Sequence, residues 1–276
     1  MRFNLSPLSF FLFILCVSFQ TIKGQEQLIS RLESVQSLYI EVYSDTLFLG
    51  KATGFVIKPK TQNYLITNWH VVSNKDPQTK KWLNPKLPLS PNKIRILHNS
   101  KTLGEYIIKG ETLIDQAGLK KFKEFTTGKH TVDVVAIPLI DTIPNVKLYP
   151  VDYKKTTATD SILVMPTDRV FVLGFPRGIS SAPALPIWKS GLIASEPYID
   201  QEEKPIIWID IFGYGGMSGS PVYLITDKLA YMNGDKAFLN ATTTYFMGVF
   251  SHGKFDISTG ALWKASFLEK LFDSLE

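Results

Sequence analysis

GYGGMSGSPVYL, residues 213–224, sets four glycines and two serines directly in front of a β-rich run. Two readings fit these letters. One is a tight Gly/Ser turn at the head of a strand. The other is a nucleophilic serine, Ser218, in a backbone whose glycines permit unusual angles. In that second reading the N–H groups of Gly216 and Ser218 point into one hole. There they meet the oxygen that turns negative during acyl transfer. Pro221 then ends the curl and opens the strand.

A serine hydroxyl is a poor nucleophile until a base takes its proton. The chain offers His70 in LITNWHVV, His98 in ILHNS, His130 in GKHTVD and His252 in FSHGK. His70 stands apart because the apolar run YLITNWHVV (64–72) delivers it into a loop, where an imidazole can face a cleft. An imidazole in that role is held by a carboxylate. Asp133 in HTVDVVAIPL heads an apolar strand, whereas most other acids sit in polar loops; Asp115 and Asp141 stand next in line.

Around these windows, short β-rich runs are punctuated by Gly, Pro, Asn and Asp. They include 37–44, 52–59, 64–72, 93–99, 131–140, 169–176, 190–197, 205–211, 220–226 and 243–253. Many short strands between turn signals predict an all-β sandwich or barrel. EQLISRLESV (26–35) has helical spacing, and SFLEKLFDSL (266–275) reads as an amphipathic helix. Two long proline-bearing loops cover 73–92 and 176–188. A polar link near 141–160 divides the chain into halves expected at 25–150 and 151–276.

The 276 residues are 45% hydrophobic and 20% charged, enough for a sizeable core. LSFFLFILCVSF (8–19) is an apolar run preceded by Arg2 and followed by TIKGQEQ. It falls short of the roughly 20 residues a spanning helix needs and predicts a signal peptide, 1–24, cut after Gly24. An uncleaved anchor is the alternative. Cys16 is the only cysteine, and Leu15 before it does not suit a lipoprotein signal. Loss of the segment leaves no thiol, hence no disulfide, cysteine nucleophile or Cys-bound metal.

Net charge is +5, and removing 1–24, with Arg2, Lys23 and no acid, leaves +3. The basic clusters near 80–81, 120–123 and 154–155 are short and lack the dense stripe of a nucleic-acid surface. No nucleic-acid partner is expected. The histidines lack ligand spacing, so no metal or other cofactor is expected either. Asn240-Ala241-Thr242 matches the N-glycosylation pattern, relevant only to a eukaryotic secretory route.

TNWHVV, VDVVAI and GMSGSP, in that order, resemble the trypsin-like (chymotrypsin-fold) serine peptidases, nearest to the bacterial disulfide-free branch that includes HtrA-type proteases. VLGFPRG and WKSGLIASE (172–196) and GVFSHG (248–253) extend the resemblance over about residues 37 to 270. The order His, Asp, Ser is that of this fold. The resemblance implies two six-stranded antiparallel β-barrels with a short N-terminal and a C-terminal helix. It implies a secreted or periplasmic serine endopeptidase acting on peptides or proteins. His70 would be the general base, Asp133 its orienter and Ser218 the nucleophile, with Gly216 and Ser218 forming the oxyanion hole.

The same resemblance has Ser251 fixing Asp133 and touching substrate backbone. It sets the floor of the specificity pocket near Phe212, with Gly253 and Gly260 on its walls. A floor without an acid implies a small or apolar side chain before the scissile bond. His252 is a rim contact or a surface histidine. Departures from the family pattern are Ser220 for a glycine, Trp69 before His70, and Met217 where an aspartate would pair with a newly cut N-terminus. Met217 cannot serve that activation route. No PDZ domain is expected. A catalytically inactive protease-fold binding module is the other reading, and an esterase on the same triad a third.

Overall fold

The computed structural model describes residues 30–275 apart from 103, 140–143, 183, 227–229, 233–234, 238–241 and 255–256. The expected signal segment with Cys16, Asp141, the Asn240 pattern and the side chain of His252 lie outside the described set. Leu32–Val35 is one turn of 3-10 helix, the described part of the expected N-terminal helix.

The first half contains β1 (Ser37–Ser44), β2 (Leu47–Ile57), β3 (Tyr64–Thr67), α1 (Trp69–Ser73), β4 (Lys93–Asn99), β5 (Tyr106–Thr112), β6 (Lys123–Thr127) and β7 (His130–Pro138). Its strands form one seven-stranded sheet in the order β5-β4-β1-β2-β3-β7-β6. The second half follows with β8 (Arg169–Gly174), β9 (Ile187–Ile193), β10 (Ile206–Asp210) and β11 (Pro221–Thr226). After a small hairpin, β12 (Ala230–Met232) and β13 (Asp235–Ala237), come β14 (Thr243–Lys254), β15 (Thr259–Lys264) and α2 (Ala265–Asp273). Six of these strands close a barrel, β10-β15-β14-β11-β8-β9. The pairings are antiparallel, and the all-β chymotrypsin-like architecture is the one expected, with seven strands rather than six in the first sheet.

Alternation along the strands sorts side chains among three apolar clusters. In β4, Ile94 and Ile96 face the core while Lys93 and Arg95 do not. β7 is buried on both sides: Val135 and Ile137 enter the cluster inside the first sheet, and Val132, Val134 and Ala136 enter a second cluster. That second cluster is the join between the halves. It gathers Phe55, Ile66 and Val134 from the sheet, Leu173, Tyr223 and Trp263 from the barrel, and Leu268 and Phe272 from α2. The third cluster fills the barrel with Val172, Ile209, Val222 and Phe250. The 141–160 link is not merely polar, since Val151 and Tyr153 are buried in the join.

His98 takes the inward position after Ile96 in β4 and is wholly buried. Neither of its ring nitrogens has a hydrogen-bond partner among the described residues. Burial, with Lys109 nearby, pushes its pKa down to about 4. The native state therefore resists a proton that the unfolded chain takes up near pH 6.5. Stability is full above pH 6.5, falls as pH drops, and by pH 4 is lower by about 3 kcal/mol on this account. Urea denaturation of the wild type and His98→Leu at pH 7 and pH 4.5 should show this loss in the wild type and a much flatter response in the variant.

Candidate active site

Asn68 caps α1 in an extended conformation, and the helix then brings His70 into its first turn. The sequence run 64–72 thus is not one strand emptying into a loop. It breaks after Thr67, and Val71 and Val72 continue the apolar run because the helix buries them in the first-sheet cluster. Trp69 packs in that same cluster, with its Nε1 donating to Glu124 Oε1 at 2.6 Å.

His70 and Asp133 are 9% and 1% exposed. The His70 backbone N–H donates to Asp133 Oδ1 at 2.9 Å, and the ring Nδ1 lies 2.7 Å from Oδ2. The other ring nitrogen, Nε2, lies 2.8 Å from Ser218 Oγ. An ionised carboxylate only accepts, which assigns the proton to Nδ1 and leaves Nε2 to accept from the serine hydroxyl. The Ser251 hydroxyl also donates to Asp133 Oδ2, and Asn68 Nδ2 donates to the Asp133 carbonyl at 2.6 Å. A buried carboxylate is tolerable only when so engaged.

The other candidates stand elsewhere. His98 is in the first-sheet core, and His130 Nδ1 lies 3.0 Å from Gln78 Oε1. Asp115 accepts from the N–H groups of Ala117 and Leu119, as a turn residue does.

Gly216 has φ +97°, a region that favours glycine, and a Cβ there would sit 2.3 Å from the Phe175 carbonyl oxygen. Among the described residues the N–H groups of Gly216 and Ser218 make no hydrogen bond within the chain. The carbonyl of Gly215 instead accepts from Arg177 N at 2.6 Å. A trans peptide opposes its C=O and N–H, so the Gly216 N–H points away from Arg177.

Two cavities flank Ser218. One of about 270 Å³ is lined by Gly213, Tyr214, Ser218, Phe250 and Ser251, together with Leu83. The other, about 170 Å³, is lined by Lys51, His70, Asn74, Gly216 and again Leu83. The long loop 73–92 thus forms a wall on both sides. Gln78 and Lys80 tie it to Thr131 at the start of β7. A larger cavity of about 580 Å³ lies between 156–164, β14 and the start of α2, away from these residues.

Phe212, expected near the pocket floor, is not among the residues lining either cavity. It is 48% exposed and packs against Tyr214 with the rings tilted, centroids 4.8 Å apart. Phe250, which is 2% exposed, lines the cavity of about 270 Å³. A Cβ on Gly260 would meet its ring at 2.3 Å and one on Gly213 at 3.2 Å. Gly253 and Gly260 face each other in the β14–β15 ladder. Sequence counting back from Ser218 missed Phe250 because it arrives from a neighbouring strand.

The sequence model of the trypsin-like peptidase domain matches residues 52–229. No curated protein is significantly similar to the chain. Among solved structures, it is similar to a protease from M. tuberculosis in its active form, with 17% identity, 86% of this chain and 79% of that chain covered, and TM-score 0.44. It is similar to a serine endoprotease from Yersinia pestis, at 12% identity, 90% and 69% coverage, and TM-score 0.45. It is also similar to a thermostable serine protease from an extremophilic microorganism, at 10% identity, 88% and 97% coverage, and TM-score 0.49.

Proposed function

The chain belongs to the trypsin-like peptidase family and is a serine-type peptidase, and we propose that His70, Asp133 and Ser218 are the catalytic triad of an exported endopeptidase. The observation that carries this reading is the unbroken hydrogen-bonded path from Ser218 Oγ through His70 to Asp133, with steps of 2.8 and 2.7 Å. Ser218 attacks a peptide carbonyl carbon while its proton passes to His70 Nε2. Asp133 stabilises the imidazolium so formed. The carbonyl oxygen, now negative, is met by the N–H groups of Gly216 and Ser218. His70 returns the proton to the leaving amine. Water then attacks the acyl-enzyme, giving its proton to His70, and the acid product leaves as Ser218 regains its hydrogen.

A binding module with a collapsed oxyanion hole is the competing reading. The N–H groups of Gly216 and Ser218, unengaged among the described residues, favour the enzyme. A fluorophosphonate probe should label the wild type at Ser218 and leave Ser218→Ala unlabelled; a folded wild type that takes no label contradicts the enzyme reading. Ser218→Ala should lower kcat by about a millionfold. Asp133→Asn should fold and lose about ten-thousandfold, because the amide selects the wrong imidazole tautomer.

Substrate choice follows from the cavity beside Ser218. Phe250 is one of its lining residues, and among the described residues the only acid lining it is Asp76 on the 73–92 loop, so the reading is a small or apolar side chain before the scissile bond, such as alanine or valine. Phe250→Val removes the ring. The ratio of kcat/KM for otherwise identical peptides with Phe against Ala at that position should rise by about tenfold or more.

Export rests on the apolar run 8–19, preceded by Arg2 and followed by a polar stretch; the absence of cysteine beyond Cys16 favours a bacterial envelope over an animal secretory route. Among the described residues no helix is long and apolar enough to cross a membrane. The site of action is the periplasm or the exterior. N-terminal sequencing of protein recovered from that fraction should begin at Gln25; a start at Met1 contradicts a cleaved signal.

A further inference from the structure

The oxyanion loop contains consecutive glycines, Gly215 and Gly216; Cys16 is the only cysteine, so no disulfide braces it, and Met217 has no charge to pair with a new N-terminus. A glycine pair rotates easily. Flipping the 215–216 peptide would bring a carbonyl oxygen where the oxyanion must sit and carry the N–H away. What prevents this is visible in the partners of four successive carbonyls. Gly215 O accepts from Arg177 N at 2.6 Å, Gly216 O from Thr53 Oγ1 at 2.7 Å, and Ser218 O from Thr53 N at 2.9 Å. Met217 O accepts from both the N–H and the hydroxyl of Ser220, at 3.0 and 2.6 Å.

Two of these five bonds come from Thr53, a wholly buried residue of β2 in the other half of the molecule. Its side chain does more than donate. The Phe175 N–H donates to Thr53 Oγ1 at 3.1 Å, and the Thr53 hydroxyl passes its single hydrogen on to Gly216 O. Phe175 opens the 3-10 turn Pro176–Gly178, and that turn contains Arg177, the donor to Gly215 O. The Thr53 carbonyl in turn accepts from the Thr67 hydroxyl at 2.8 Å, which fixes β2 against the end of β3 one residue before the Asn68 cap of the His70 helix. One hydroxyl therefore ties the turn to the oxyanion loop, and one strand residue ties both to the segment that carries His70. A hydrogen-bonded chain in a buried setting is stiff, and each link strengthens the next.

We propose that Thr53 is a positioning residue for the oxyanion hole: its hydroxyl and its N–H hold Gly216 and Ser218 in the orientation that leaves their own N–H groups facing the substrate. The inference rests on the triad reading above, since only that reading gives the hole a reaction. It also assigns a task to Ser220, whose hydroxyl pins the carbonyl of the same peptide that supplies the Ser218 N–H. Thr53 touches no reacting atom and leaves the nucleophile and base in place, so its loss should reduce transition-state stabilisation without altering substrate binding.

The test compares the wild type, Thr53→Val, which keeps the shape and loses the hydroxyl, and Thr53→Ser, which keeps the hydroxyl and loses a methyl. The substrate is a peptide with alanine before the scissile bond, and the second probe is a peptidyl boronic acid that forms a tetrahedral adduct on a serine. Thr53→Val should lower kcat by about tenfold to a hundredfold with KM changed less than about threefold, and boronate affinity should fall in parallel. Thr53→Ser should stay within about threefold of the wild type. Thr53→Val at wild-type kcat and boronate affinity overturns the proposal, as does an equal loss in both variants, which would mark Thr53 as packing only. If Thr53→Val does not fold by thermal melting, Thr53→Ala takes its place with the same expectations. A wild type that neither cleaves nor binds boronate fails the triad reading instead. In that case amide exchange at Arg177, whose N–H donates to the Gly215 carbonyl, decides: faster exchange in the valine variant supports the clamp, and unchanged exchange overturns it.

Discussion

The apolar join between the first sheet and the barrel sets the distances in the site. His70 and Asp133 belong to one half and Ser218 to the other, so the 2.8 Å contact between His70 Nε2 and Ser218 Oγ exists only while the halves hold their register. Phe55, Val134, Phe246 and Trp263 fill that join, and α2 seals it with Leu268 and Phe272. Close-packed interiors deform little, which is why a contact between side chains 148 residues apart can be held to a hydrogen-bond length. Hydrogen bonds from Thr53 to Gly216 and from Ser37 to Leu173 then fix the lateral position that apolar packing leaves loose.

The polar groups of the site are buried on terms that burial dictates. Asp133 is almost out of contact with water, and its carboxylate accepts from a backbone N–H, an imidazole and a hydroxyl. Burying a carboxylate is costly unless donors of this kind compensate it. The oxyanion loop meets the opposite demand. Among the described residues the N–H groups of Gly216 and Ser218 make no hydrogen bond, while those of Met217, Gly219 and Ser220 do, and the carbonyls of Gly215, Gly216, Met217 and Ser218 are all satisfied. On the proposed reading that asymmetry preorganises the loop for negative charge, and residues from both halves hold it.

Much of this was legible in the sequence, because the local patterns carry their own chemistry. Glycines around Ser218, an acid at the head of the apolar β7 and a histidine after an apolar run were all visible, and the three side chains do meet. β1 and β4 were readable to their ends because alternation there is regular. α1 was not, since NWHVV has the apolar density of a strand and the break is made by packing. β5 was missed because it holds an edge of its sheet with Tyr106 and Ile108 exposed, so its pattern carries little contrast. β15, TGALWK, is short and begins with small residues whose burial comes from neighbours. Phe250 and Thr53 were invisible for another reason. In ATGFVI and GVFSHG they read as ordinary strand residues, and their roles come from where distant strands bring them, Thr53 lying 163 positions from Gly216.

The most direct measurement is a crystal structure of the protein reacted with a peptidyl boronic acid. A preformed site predicts boron bonded to Ser218 Oγ and one boronate oxygen within hydrogen-bond distance of both the Gly216 and Ser218 nitrogens. It also predicts the 215–218 backbone unchanged and His70 still bonded to Asp133. Boron bound at another residue, or a boronate oxygen facing the carbonyl of Gly215 instead of the Gly216 N–H, contradicts it.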